Sequence, residues 1–107
     1  SYFTNQPDTE LAMRISQYHR EFFKKYWENI LPESKVFLFG SRTDDNKRGG
    51  DIDLLILSND KISIDQKLKF ICKFYIQFGE QKIDVATFTY SEKKPFKNIA
   101  LSTAIEL

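Results

Sequence analysis

The feature that most restricts this chain is the run Asp51-Ile52-Asp53-Leu54-Leu55-Ile56-Leu57. Five of its seven residues are Ile or Leu, and Ser58-Asn59-Asp60, a turn-favouring cluster, closes it. A run of this length and apolar content fits a central strand covered on both faces. The pleat turns alternate side chains to opposite faces, so Asp51 and Asp53 share a face with Leu55 and Leu57. That face passes from acidic to apolar along one strand. Such a change is expected where the start of a strand opens into a cleft and its end enters the core.

The flanking segments predict what surrounds this strand. Leu11, Ile15, Tyr18, Phe22, Tyr26 and Ile30 recur at spacings of three and four, which predicts a long helix capped by Asn5 or Asp8 and ended by Pro32. Phe23 and Trp27 fall off this stripe and predict an exposed aromatic surface suited to a homo- or hetero-oligomeric contact. Residues 35–39, KVFLF, read as a buried strand that stops at Gly40, and residues 43–50 as a polar loop. Ser63 and Gln66 form a capping-box pattern ahead of Ile64, Leu68, Ile71, Tyr75 and Phe78, with Gly79 as the stop of this second helix. Residues 82–88 predict a third strand, and Pro95 precedes a short helix carrying Phe96, Ile99 and Ile105. This order is α+β or α/β, and it allows either a parallel pair or a mixed sheet.

Composition narrows the setting. A length of 107 residues with 41% hydrophobic and 15% aromatic types suits one packed core, so residues 1–107 are expected to form one domain. A net charge of +1 provides no general attraction to nucleic acid or anionic lipid. Cys72 is the sole cysteine, so no internal disulfide forms, and it reads as a core-edge thiol. No apolar run reaches membrane-spanning length and no cleavable signal pattern is seen, which leads us to expect the cytoplasm. His19 reads as a partly buried structural histidine, and Lys93, Lys94 and Lys97 as solvated surface.

Asp84, between Ile83 and Val85, puts a third acid on a second, half-buried strand. If the two strands are neighbours, Asp51, Asp53 and Asp84 converge, and each like-charged pair at about 5 Å costs roughly 3 kcal/mol at an effective dielectric near 20. A divalent cation relieves this repulsion. An all-oxygen set suits Mg²⁺, which leaves positions open for phosphates, and two such ions can clamp a phosphoryl displacement. Gly40-Ser41 lets backbone N–H groups approach phosphate oxygens, and Arg42 adds a planar cation, with Lys47 and Arg48 also in the loop. Neither a GxxxxGK[ST] loop nor a GxGxxG turn is present.

Together, FGSRTDDNKRGGDIDLLIL followed by KIDVATF resembles the minimal nucleotidyltransferase family, within the DNA polymerase β-like superfamily, over roughly residues 36–88. The matching positions are Gly40, Ser41, Asp51, Asp53 and Asp84; the loop between Ser41 and Asp51 is shorter than the family's common length. The resemblance implies an α+β fold, with helices packed on a small mixed sheet. It also implies Mg²⁺ as two ions and ATP as donor, with Asp51, Asp53 and Asp84 as metal ligands and catalytic acids and Gly40 and Ser41 gripping the phosphates. It further implies an antitoxin that transfers AMP to a tyrosine of a HEPN-family toxin. The alternatives are a catalytically silent binding antitoxin and a small-molecule nucleotidyltransferase of the aminoglycoside-modifying kind.

Overall fold

The computed structural model describes residues 15–39, 52–79 and 81–107. Helix α1 (Gln17–Ile30) begins at Ser16, whose hydroxyl accepts the His19 N–H at 3.0 Å while His19 Nδ1 accepts the Ser16 N–H at 3.4 Å. This reciprocal box provides partners for two of the donors that a helix start leaves open. The expected start is corrected accordingly: Ser16 is the cap, Ile15 precedes the helix, and Asn5, Asp8 and Leu11 lie outside the described residues. Leu31 closes the helix with its N–H on the Trp27 carbonyl at 2.7 Å, and Pro32 follows as expected.

Strands β1 (Lys35–Leu38) and β2 (Ile52–Ser58) are antiparallel, and helix α2 (Ile64–Phe78) then carries the chain to β3 (Ile83–Thr89), which pairs with β2 in parallel. A parallel neighbour requires such a crossover. The Ser63–Gln66 capping box forms at both of its hydrogen bonds, and Gly79, at φ +90°, ends α2 in a conformation that L side chains rarely adopt. After α3 (Pro95–Thr103) the chain turns extended at Ala104, and β4 (Ile105–Glu106) adds to the free edge of β1. Ile105, expected on the last helix, is therefore a strand residue. The sheet order β3-β2-β1-β4 is mixed, and with three helices among the described residues the architecture is α+β.

Each face of the sheet has its own core. Val36, Leu38, Ile52, Leu54, Ile56, Ile83 and Val85 pack beneath α1 and α2, whereas Leu55 and Leu57 meet Ala100 of α3 with Phe37, Phe39 and Phe88 around them. On the first face the helices interlock through rings: Trp27 lies 5.2 Å from Phe70, and Phe23 lies 5.6 Å from Phe74. Phe23 and Trp27 are fully buried, while Tyr18 is 72% exposed, so the expected stripe of α1 is turned and the exposed aromatic surface is not formed by these two residues. On α2, Phe70 and Phe74 go inside, while Ile64 is 74% exposed and Cys72 stands in solvent rather than at the core edge. Each helix carries two apolar stripes about 100° apart, and the stripe with the larger rings removes more surface from water.

Lys97 overturns the expectation of a solvated lysine cluster. It is only 6% exposed, and its ammonium donates to the carbonyls of Thr89 (3.0 Å), Tyr90 (2.7 Å) and Glu92 (2.8 Å). All three donors are thereby used, and the turn from β3 into α3 is tied to the helix. Glu92 adds a carboxylate that accepts the Thr89 N–H at 2.8 Å. Replacing Lys97 with Met should strand these carbonyls and lower stability by about 2–3 kcal/mol, measured as a shift in urea midpoint. An unchanged midpoint would show that water replaces the ammonium without cost.

His19 packs on Phe78 (4.4 Å) and Phe74 (5.5 Å), and burial lowers its pKa below the ordinary 6.5. The neutral ring is the form that accepts the Ser16 N–H. Its contribution is complete above the unfolded value and is lost as pH falls through the lower folded value. Stability should therefore decline from about pH 7 toward pH 5 more steeply in the wild type than in His19→Gln, whose amide can keep the box as Gln66 does and does not titrate. Parallel stability profiles for the two proteins would show that the ring has no such role.

Candidate functional site

The register of β2 on β3 decides where the acids meet. Ile52 pairs with Ile83, Asp53 with Asp84 and Leu54 with Val85, and the Ile52 N–H bonds to the Lys82 carbonyl at 3.0 Å just before the pair. In-register residues of adjacent parallel strands project to the same face, with the strands about 4.8 Å apart. Asp53 and Asp84 are thus side by side at the leading ends of two strands, on the face that carries Leu55, Leu57 and Phe88 further along. Asp53 is half-buried and Asp84 exposed. The passage from acidic to apolar expected from one strand occurs on both.

On the other side of Asp53 stands the end of β1. The Phe39 N–H donates to the Asp53 carbonyl at 3.0 Å, so Phe39 sits at the level of the acidic pair. Gly40, Ser41 and Arg42, which follow it in sequence, lie outside the described residues, as do Lys47, Arg48 and Asp51. Of the three expected carboxylates, the structure therefore brings together Asp53 and Asp84. No group of three or more His, Cys, Asp or Glu gathers into a metal cluster among the described residues. Phe39 was read from sequence only as a strand residue; its place beside the acids depends on a pairing register that spacing alone does not contain.

The donor set fits a hard cation. Two carboxylates on neighbouring strands offer oxygen ligands only, and Mg²⁺ binds through one or two carboxylates while retaining water and phosphate oxygens. Opposing like charges across a ladder is otherwise unfavourable. The two acids are placed to offer oxygens to one divalent ion, which would leave positions open toward a phosphorylated substrate.

Comparison with known proteins agrees with this geometry. The family profile described as the nucleotidyltransferase domain matches residues 17–107, which takes in every described element. A crystal structure of a toxin-antitoxin with AMP-PNP superposes with a TM-score of 0.64 at 17% identity, over 80% of this chain and 69% of that one. A mutant form of the toxin-antitoxin MntA-HpeT superposes with a TM-score of 0.61 at 17% identity, over 82% of this chain and 69% of that one. At this identity the likeness is one of fold. No curated protein matches the chain in sequence.

The acidic pair makes one direct prediction. Millimolar Mg²⁺ should raise the thermal unfolding midpoint of the wild type by linkage, whereas Asp53→Asn and Asp84→Asn should each remove most of that rise. An equal rise in all three proteins would place any bound ion elsewhere.

Proposed function

Since the chain belongs to the nucleotidyltransferase domain family and has its polymerase β-like α+β fold, we propose that it is a Mg²⁺-dependent protein adenylyltransferase acting as an antitoxin. It takes AMP from ATP and places it on a hydroxyl, that of a tyrosine, in a HEPN-family toxin partner. The observation that carries this reading is the in-register pair Asp53–Asp84 at the leading ends of two parallel strands.

In this reading Asp51, Asp53 and Asp84 would hold the metal, with Gly40, Ser41 and Arg42 on the phosphates. Bound Mg²⁺ supplies charge neutralisation on the triphosphate and acidifies the attacking hydroxyl. The hydroxyl oxygen forms a bond to the α-phosphorus, the bond from that phosphorus to the bridging oxygen breaks, and pyrophosphate leaves. The hydroxyl proton needs an acceptor, and in this reading Asp84, exposed beside Asp53, takes it. Similarity to toxin-antitoxin structures, one with AMP-PNP, supports both the partner class and the nucleotide. No helix among the described residues is long and apolar enough to cross a membrane, and the proposed compartment is the cytoplasm, where ATP and Mg²⁺ are available.

The test is transfer of α-labelled AMP from ATP, with Mg²⁺, to the proposed HEPN-family toxin partner. Label should appear on a toxin tyrosine, and Asp53→Ala or Asp84→Ala should reduce transfer by about 10²–10³-fold, as expected for loss of a group that stabilises transition-state charge. Undiminished transfer in both variants would refute the metal role. Neutralisation of the toxin without ATP or metal would point to a silent binding antitoxin, and labelling of an aminoglycoside without any protein partner to small-molecule transfer.

A further inference from the structure

One ring next to the acidic pair is left open by the fold. Phe37 lies opposite Leu55 on the face of the second core, so Phe39, two residues further, shares that face with Asp53 and Asp84. Adjacent strands thus present, at one level, Asp84, then Asp53, then Phe39. Above them stands Phe96, in the first turn of α3, with its ring centroid 6.0 Å from Phe39 at 76° and 6.0 Å from Phe88 at 44°. Phe96 nevertheless remains 51% exposed. Its position is held from both sides: Pro95 is in the opening turn of α3, and the Lys97 ammonium ties that helix to the turn after β3.

We propose that Phe96, with Phe39 behind it, is the platform on which the nucleobase of the bound triphosphate stacks. This rests on the nucleotidyltransferase reading and adds the position of the base. Phe39, bonded to the Asp53 carbonyl through its N–H and in ring contact with Phe96, links the level of the acids to the open ring, so the two stand as the two ends of one site. The two ends of the site then divide the ligand by chemistry. The carboxylates attract the cation that accompanies the phosphates, and the open ring attracts a flat π surface. Stacking on a phenyl face accepts every base and favours the larger purine rings, without reading their hydrogen-bonding edges.

The experiment titrates the full chain, with Mg²⁺ present, against ATP, CTP and inorganic tripolyphosphate by calorimetry. In the wild type ATP should bind more tightly than CTP and tripolyphosphate. Phe96→Ala should weaken ATP roughly tenfold or more, the loss that removal of one base–aromatic stack produces, and leave tripolyphosphate unchanged. Phe96→Trp provides a second measurement, because the native chain has one tryptophan and Trp27 is fully buried. The emission of the new indole should be quenched by ATP and not by tripolyphosphate. ATP binding that is unaltered in Phe96→Ala, or an indole in Phe96→Trp that does not respond to ATP, overturns the platform; if Phe96→Ala fails to fold, the indole decides alone. A wild type that binds tripolyphosphate as tightly as ATP overturns the platform but leaves the phosphate site standing. A wild type that binds neither overturns the nucleotidyltransferase reading and the platform with it. Loss of toxin binding in Phe96→Ala with ATP affinity intact would make the ring a protein contact and overturn the proposal.

Discussion

The parallel pairing of β2 with β3 is the interaction on which the rest of this molecule depends. It sets two carboxylates against each other, Asp53 opposite Asp84, an arrangement that a sheet ladder disfavours. The residues after the acids exclude a slip of one position. A slip of one position would turn Leu54 and Ile56, both fully buried beneath α1 and α2, to the opposite face. Apolar burial along the strands therefore brings two carboxylates together at their leading ends.

The sheet that carries that end is packed on both sides. On one side Phe23, Trp27, Phe70 and Phe74 interlock, so α1 and α2 cannot slide without opening a ring-packed core. On the other, the smaller core under α3 reaches Phe39 at the level of the acids, and the Lys97 ammonium fixes the approach of α3 through three carbonyls.

Much of this was legible locally. The box at Ser63 and Gln66 and the stop at Gly79 are short-range devices, and both form where the residues predict them. The change from acidic to apolar along 51–57 correctly marked β2 (Ile52–Ser58) as a strand covered on both faces, with Asp51 outside the described residues. The helix stripes were not legible, because Tyr18 and Phe23, or Leu68 and Phe70, have nearly equal claims to the interior until a partner helix is present. Lys97 was hidden for a related reason. A lysine in a basic cluster reads as solvated unless three free carbonyls converge on it, and those carbonyls come from a turn whose path depends on the tertiary fold.

What the sequence by itself determined is the chemical inventory: acids at strand starts, apolar runs behind them, the capping box of α2, and the motif that places the chain among nucleotidyltransferases. These depend on neighbours a few residues apart, where backbone geometry alone sets which side chains share a face. Only the tertiary structure decided that Asp53 meets Asp84 and not some other acid, that Phe39 and Phe96 stand beside them, and which rings fill the interior. Those contacts join residues dozens of positions apart, and their selection follows from register and packing density, which no single segment contains.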